Sequence, residues 1–407
     1  MNYIKRNIRP NILDLVAYSC ARNEFKIKSN TEKKSTIINS KIESDSLCDK
    51  TNFKDFSNKI DSDNPCVKIN LDNSIIKIDS DLTQRDSMIL LDANENPFET
   101  SYNRYPDPNQ TDLRHIISKL KQVNKDQILF GNGSDEIIDI IIRSSCIPSR
   151  DNIVYFYPGY GMYEVCANIN DVENRKVLLD NELKCDFNQL FKNVDANSKI
   201  IFLCNPHNPT GFIISGEDIE KVCKNFDGWV VIDEAYIDFS PKSSGLKLLS
   251  NNKNLIVMQT MSKAYGMAGL RLGMCFACSE LISIFNNIRA PYNINSMTQS
   301  LVVKNLKETK SYVNIILSER NRLNKEFKAK TFILTVYESS ANFILIKCID
   351  AKSLYNYLVS KNCIVRLRDI NPLMSNCIRI TVGSPEQNTR LLNVLSEFEN
   401  QKNKPLK

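Results

Sequence analysis

Between Gln127 and Ala277 the chain repeats one theme: a short apolar, β-rich run, a segment of helix length, then another such run. The runs are Gln127–Phe130, Ile153–Tyr157, Lys199–Cys204, Trp229–Asp233, Leu255–Thr260 and Leu272–Ala277. Strands that are apolar on both faces need cover on both faces, and helix-length connections supply it. The alternation therefore predicts an α/β fold, with a mainly parallel sheet sandwiched by helices. One helix is expected from about Thr111 to Val123, and Gly131-Asn-Gly133 should turn the first strand into another over Ser134–Arg143. Pro291 opens a second region, with a long helix pattern to about Lys328 and strands at Asn342–Lys347 and Cys377–Val382. That region predicts a smaller α+β C-terminal domain.

The expected boundaries are an N-terminal helix or arm over 1–26, an insertion over 27–86, a large domain over 87–290 and a small domain over 291–407. Residues 27–86 are mostly Ser, Asn, Asp, Lys and Ile, with Phe53 and Phe56 as the aromatics. Such a segment buries too little apolar surface to offset its ordering entropy, so a disordered insertion is expected there. The first residues show no signal-peptide core with a small-residue cleavage site, and Asp14 and Glu24 argue against a transit peptide.

Hydrophobic residues make up 42 % and charged residues 25 % of the 407, with no apolar run of transmembrane length, so no membrane partner is expected. The net charge of +6 is not gathered into a basic block, which gives no reason to expect nucleic acid. Thirteen cysteines, an odd number scattered through apolar segments, suit the reduced thiols of a cytoplasmic protein. Cys275 and Cys278 have metal-ligand spacing but no second pair, so their reading is structural and no metal site is expected. Only two histidines occur: His115 fits the outer face of an amphipathic helix, and His207 either faces a site or packs as a neutral ring.

Lys263 stands in Thr260-Met-Ser-Lys-Ala-Tyr-Gly-Met-Ala-Gly-Leu-Arg-Leu-Gly273. Its amine can close a Schiff base with an aldehyde, while the Ser262 hydroxyl and the Arg271 guanidinium can hold a phosphate dianion. Upstream lie Asn208-Pro-Thr-Gly211 and Asp233-Glu-Ala-Tyr236. Taken singly, a Ser-Lys pair is usually solvated, Asn-Pro-Thr-Gly is a serviceable turn, and Asp-Glu-Ala-Tyr can end a strand. Independent surface features would not produce their joint order and spacing.

In an α/β sheet, ligands collect beyond the carboxyl ends of the strands, where these residues are expected. Gly133-Ser134-Asp135 opens a helix, so its backbone N–H groups and the helix dipole suit a phosphate. Gly131-x-Gly133 is not a dinucleotide fingerprint, because Glu136 takes the third glycine's place. Asp233 can keep a pyridine nitrogen protonated, which makes the ring an electron sink. Tyr236 and Asn208 can donate to a phenolate oxygen on that ring. Tyr160 either lies flat on the ring or packs as an ordinary loop aromatic.

These motifs have the order and spacing of fold-type I pyridoxal-phosphate enzymes. With Asn103-Arg-Tyr-Pro-Asp107, Tyr160-Gly-Met-Tyr163, Ala290-Pro-Tyr292 and Cys377-Ile-Arg-Ile-Thr-Val-Gly383, the chain resembles the histidinol-phosphate aminotransferases. The likeness runs from Ile4 to about Phe25 and from Met88 to about Leu395. It implies an aspartate-aminotransferase-like fold, pyridoxal 5′-phosphate as cofactor, and amino transfer between L-histidinol phosphate and 2-oxoglutarate by a ping-pong route. It further implies that Lys263 is the catalytic residue. Ser134, Asp135, Tyr160, Asn208, Asp233, Tyr236, Ser262 and Arg271 would bind cofactor, and Tyr105, on an arm over 100–108, would reach the phosphate from a neighbouring subunit. A homodimer with shared sites follows from that. Asn94, Glu95, Tyr292, Asn342, Arg366 and Arg379 would contact substrate, with Arg379 on the carboxylate of glutamate and Arg366 on the substrate phosphate. Arg368, on the same side of the strand, competes with Arg366. An aminotransferase for aromatic or other amino acids, or a phosphothreonine decarboxylase, remains the alternative on this scaffold.

Overall fold

Successive residues of a strand face opposite ways, and here both faces are apolar. In Trp229–Asp233, Trp229 and Val231 join one buried cluster while Val230 and Ile232 join another. The computed structural model describes residues 3–13, 89–306, 309–369 and 372–402. The low-complexity stretch 27–86 lies outside the described residues. Two compact units are distinguished, one of residues 1–18 with 104–407 and the other of residues 19–103.

The larger unit holds a seven-stranded sheet: β1 (Ile128–Asn132), β2 (Asn152–Tyr157), β3 (Glu173–Leu178), β4 (Ser198–Cys204), β5 (Trp229–Asp233), β6 (Leu255–Thr260) and β7 (Leu272–Phe276). Its order is β1-β7-β6-β5-β4-β2-β3. β3, β2, β4, β5 and β6 run parallel to one another, and β7 is antiparallel to both β6 and β1. The expected mainly parallel α/β sheet is thus present, with one reversed strand. That reversal matters. The start of β7 lies at the same edge as the ends of the parallel strands, so Arg271, just before β7, joins the residues that follow those ends.

One boundary moved and one strand was missed, each for a physical reason. β1 continues through Gly131 to Asn132, since Gly131 pairs with Gly273 on β7. Gly273 tolerates no Cβ, which would lie 2.5 Å from the Gly133 carbonyl carbon and 2.7 Å from the Ser134 nitrogen. β3 was not legible because Glu-Asn-Arg-Lys-Val-Leu is an edge strand, exposed or half-buried except at Val177.

A second sheet, ordered β10-β11-β9-β8, is formed by β8 (Ile333–Val336), β9 (Phe343–Cys348), β10 (Arg366–Leu367) and β11 (Cys377–Thr381). Its own core joins Ile344, Ile346, Ile378 and Ile380 to Leu323, Phe327, Leu391 and Leu395 from helices Thr309–Lys328 and Pro385–Lys402. The expected long helix after Pro291 is two, Ser296–Asn305 and Thr309–Lys328.

The N-terminal residues form two short helices, Tyr3–Arg6 and Pro10–Leu13. Tyr3 donates to the carbonyls of Asp227 and Gly228 at 2.7 and 2.8 Å, and Trp229 Nε1 donates to Asn7 O at 3.1 Å. Ile4, Ile8 and Ile12 enter the core behind β5. In the smaller unit, Asn96 organises an exposed loop, its side-chain oxygen accepting from Phe98 N and its carbonyl from Asn103.

Candidate active site

The parallel strands deliver side chains to one edge, and β4, β5 and β6 deliver the informative ones. Cys204 pairs with Asp233 across β4 and β5, and Asp233 pairs with Met258 on β6. The amide of Asn205 donates to the Asp233 carbonyl at 2.8 Å and closes the β4 end onto β5. The Asp233 carboxylate is buried; one oxygen accepts from Tyr163 O–H at 2.7 Å and the other from Ala235 N–H at 3.1 Å. Burial raises its pKa, with the Tyr163 and Ala235 hydrogen bonds acting against that rise.

Asn208 is held from both sides. Its amide donates to Tyr236 Oη at 3.3 Å, and its carbonyl accepts from Arg379 on β11, which ties the second sheet to the end of the first. The Lys263 Nζ lies 5.7 Å from the centre of the Tyr236 ring. Lys263 is exposed as a residue, yet partial desolvation of its amine lowers the pKa. The Arg379 and Arg271 charges push the same way, and Asp233 and Asp135 oppose. A lysine so placed carries more neutral, nucleophilic amine than a solvated one.

At the β1 end, Gly133 adopts φ 79° and stands just ahead of helix Ser134–Ser145, with no side chain capping that end. A Cβ on Gly133 would run into the Arg271 guanidinium, and Gly133 N donates to Arg271 O at 2.8 Å. Arg271 itself takes a left-handed φ of 51°, unusual for an arginine. Its guanidinium lies 3.6 Å from Asp135, whose other carboxylate oxygen accepts from Tyr160 O–H at 2.8 Å. Ser262 bonds Thr260 through both hydroxyl and amide, at 3.0 and 3.1 Å. Ser134, Asp135, Tyr160, Arg271, Asn208, Asp233, Tyr236, Ser262 and Lys263 thus gather at one edge of the sheet.

The substrate-side residues are more dispersed. Arg366 pairs with Arg379 across β10 and β11, so the two side chains share a face. Arg366 is exposed, while Arg368 is half-buried with its Nε unpartnered among the described residues, as is the Nε of Arg379. Desolvation lowers the pKa of both Arg368 and Arg379, reinforced in Arg368 by Arg379 and Arg366. Asn342 directly precedes β9, where its carbonyl accepts from Val382 at 2.9 Å. Tyr292 stacks on Tyr105 with ring centres 4.5 Å apart and planes 13° from parallel. The loop beyond Tyr105 is pinned by Arg289, donating to Pro108 O at 2.6 Å, and by Gln299, donating to Asp107 O at 3.2 Å. Asn94 and Glu95 belong to the smaller unit; Asn94 is exposed with φ 54° and Glu95 is half-buried. His207 packs as a neutral ring, stacked on Phe212 and bonded to Thr210, its pKa lowered by burial to about 3.

Two residues escaped the sequence reading. Tyr163 is one. Glu234 is the other, fully buried behind Asp233 and accepting from Ser244 O–H and Gln259 Nε2 at 2.8 Å each and from Gly245 N–H. Burial pushes its pKa up to about 7 against those donors and the Lys121 charge. A carboxyl with raised folded pKa supports folding fully below the ordinary carboxylate range, and that support is lost as pH rises through about 7. From about pH 5 to about pH 8 the protein should therefore lose stability relative to Glu234→Gln, by on the order of 3 kcal/mol. Melting temperatures of the two proteins that stay parallel over that range would contradict this.

A model of the family described as "Aminotransferase class I and II" matches residues 79–395. A histidinol-phosphate aminotransferase of Flavobacterium psychrophilum is 46 % identical over 311 residues, covering 76 % of this chain and 90 % of that protein. The crystal structure of the histidinol-phosphate aminotransferase from Clostridium acetobutylicum superposes with a TM-score of 0.68 at 27 % identity, covering 74 % of this chain and 92 % of that one. That from Sinorhizobium meliloti, solved in complex with pyridoxal-5′-phosphate, also gives 0.68, at 22 % identity, covering 74 % and 84 %.

Proposed function

We infer the activity from kinship: this chain belongs to the class I and II aminotransferase family and, within it, to the histidinol-phosphate aminotransferases. It transfers an amino group between L-histidinol phosphate and 2-oxoglutarate in histidine biosynthesis, giving imidazole acetol phosphate and L-glutamate, with pyridoxal 5′-phosphate as cofactor. The observation that carries the residue assignment is the convergence of a depressed lysine amine, a buried carboxylate and a bare helix N-terminus at one sheet edge.

The donor set fits a phosphorylated pyridine aldehyde. A buried carboxylate whose pKa is raised is best neutralised by a cation, as a protonated ring nitrogen would be. The uncapped N–H groups at Ser134 and Asp135, with Ser262 and Arg271, suit a phosphate dianion. Asn208 and Tyr236 would donate to a ring oxygen, and Tyr160 would cover the ring. When bound, the group supplies an aldehyde that accepts the amino group and a ring that takes up the electron pair left on the substrate carbon. Lys263 would hold the aldehyde through its amine, and once that amine is free it would take the substrate proton and return it. Asp233 would hold its carboxylate against the ring nitrogen and favour the protonated ring.

On the substrate side we propose Arg379 for the carboxylate of glutamate and Arg366 for the phosphate of histidinol phosphate, with Asn342 and Tyr292 beside them and Asn94 and Glu95 toward the imidazole. Histidinol phosphate has no carboxylate, so its phosphate must use the ground where Arg379 otherwise grips glutamate. A phosphate offers more charge and more acceptor oxygens, so a second arginine gains a contact. Arg366→Ala should slow the histidinol-phosphate half-reaction more than the glutamate half-reaction, by about 1.5–3 kcal/mol, while Arg379→Ala damages both. Equal slowing by Arg366→Ala would overturn its role. The same split in Arg368→Ala alone would move the assignment to Arg368, whose unpartnered Nε favours it.

We also propose a homodimer with shared sites in the cytoplasm. The stacked, half-exposed Tyr105, on a loop fastened by Arg289 and Gln299, is suited to cross an interface. The described cysteines are free thiols, and no described helix is long and apolar enough to cross a membrane. Sedimentation should give a dimer, and a fully active monomer would contradict the shared site.

A further inference from the structure

The first turn of helix Met162–Ile169 aims a phenol at the carboxylate on which the proposed chemistry depends. Tyr163 O–H donates to Asp233 Oδ2 at 2.7 Å, and the residue is 2 % exposed. Its ring lies parallel to Phe202 on β4 at 4.6 Å, 12° off, with Tyr155 and Tyr160 edge-on at 5.8 and 5.6 Å. The ring is thus held on three sides, and the hydroxyl has little freedom to turn elsewhere. We propose that Tyr163 is a positioning residue for amino transfer, orienting the Asp233 carboxylate and setting how strongly it holds the proton it shares with the cofactor ring. The proposal rests on the reading that Asp233 faces that ring.

Three observations support it. Burial and the Asp233 charge lift the Tyr163 pKa far above that of a free phenol, so the hydroxyl stays protonated and acts only as a donor toward Asp233. The other Asp233 oxygen is held by the Ala235 amide, so Tyr163 is the one side-chain donor to this carboxylate among the described hydrogen bonds. The hydroxyl belongs to the site and the ring to the core, so the two contributions can be separated by substitution.

Removing the hydrogen bond would make the Asp233 carboxylate more basic, shift the proton it shares with the ring nitrogen toward the carboxylate, and so raise the basicity of the bound group where Lys263 holds it. In Tyr163→Phe the ring packing survives. The pH midpoint of the bound-cofactor absorbance should then rise by about half a pH unit, the size expected for one lost hydrogen bond. The kcat should fall about 5–10-fold, with KM for both substrates nearly unchanged. Phe202→Leu, which loosens the stack but keeps the hydroxyl, should leave the midpoint where it is. Replacing Tyr163 with 3,5-difluorotyrosine, a more acidic phenol of nearly the same shape, should move the midpoint down.

The experiment is a pH titration of absorbance on the full-length protein loaded with pyridoxal phosphate, alongside steady-state kinetics. An unmoved midpoint in both Tyr163 variants, or an equal shift in Phe202→Leu, would reduce Tyr163 to core packing and overturn the proposal. Wild-type protein that takes up no pyridoxal phosphate would overturn the functional reading as well, so the two failures are distinguishable.

Discussion

Lys263→Ala should retain bound pyridoxal phosphate and lose turnover by about 10⁴-fold or more, the upper range for removal of a positioned acid–base group. The two halves of that result have separate causes. Retention is expected from the proposed phosphate cradle of Gly133, Ser134, Ser262 and Arg271, which the substitution does not touch. Loss follows because the amine is the proposed point of attachment and the proposed proton carrier, with Arg379 and Arg271 near enough to depress its pKa. Borohydride reduction of the wild-type protein followed by peptide mapping should label Lys263. A label on another lysine would overturn the assignment.

Asp233→Asn should reduce turnover about 10²–10³-fold with the fold intact, the range for deleting one preorganised electrostatic contact in a water-excluded site. The shape hardly changes, and an asparagine oxygen can still accept from Tyr163 or Ala235. What disappears is the negative charge opposite the ring nitrogen, and with it the reason for that nitrogen to stay protonated. The expected pattern is a fall in kcat for both half-reactions, visible in single-turnover measurements. Turnover within a few-fold of wild type would mean that the carboxylate does not face the ring.

The parts of this site that were legible share a cause. Asn208, Asp233, Tyr236, Ser262, Lys263 and Arg271 end, follow or precede strands whose apolar runs are buried on both faces, so periodicity located them and residue chemistry suggested their roles. The hidden parts depend on contacts between distant elements. That Tyr163 meets Asp233 is decided by how helix Met162–Ile169 packs beside β4, and no spacing along the chain encodes it. Glu234 is invisible for the same reason, since its partners come from a turn and from β6. The hydrogen bond from Arg379 to Asn208 links the two sheets, and the Tyr105–Tyr292 stack joins segments nearly two hundred positions apart. Edge strands were lost because exposure removes the apolar signal: β3 is largely polar and β10 spans two residues.

The substrate assignment is tested most directly by offering the loaded enzyme one amino donor at a time and following the cofactor absorbance through a single half-reaction. Histidinol phosphate and glutamate should each react to completion. Unphosphorylated histidinol, phenylalanine and tyrosine should be slower than histidinol phosphate by about 100-fold or more, because histidinol brings no anion to Arg366 and Arg379, and phenylalanine and tyrosine bring only a carboxylate, which leaves Arg366 without its proposed partner. Histidinol, phenylalanine or tyrosine reacting as fast as histidinol phosphate, or phosphothreonine losing carbon dioxide, would contradict the account.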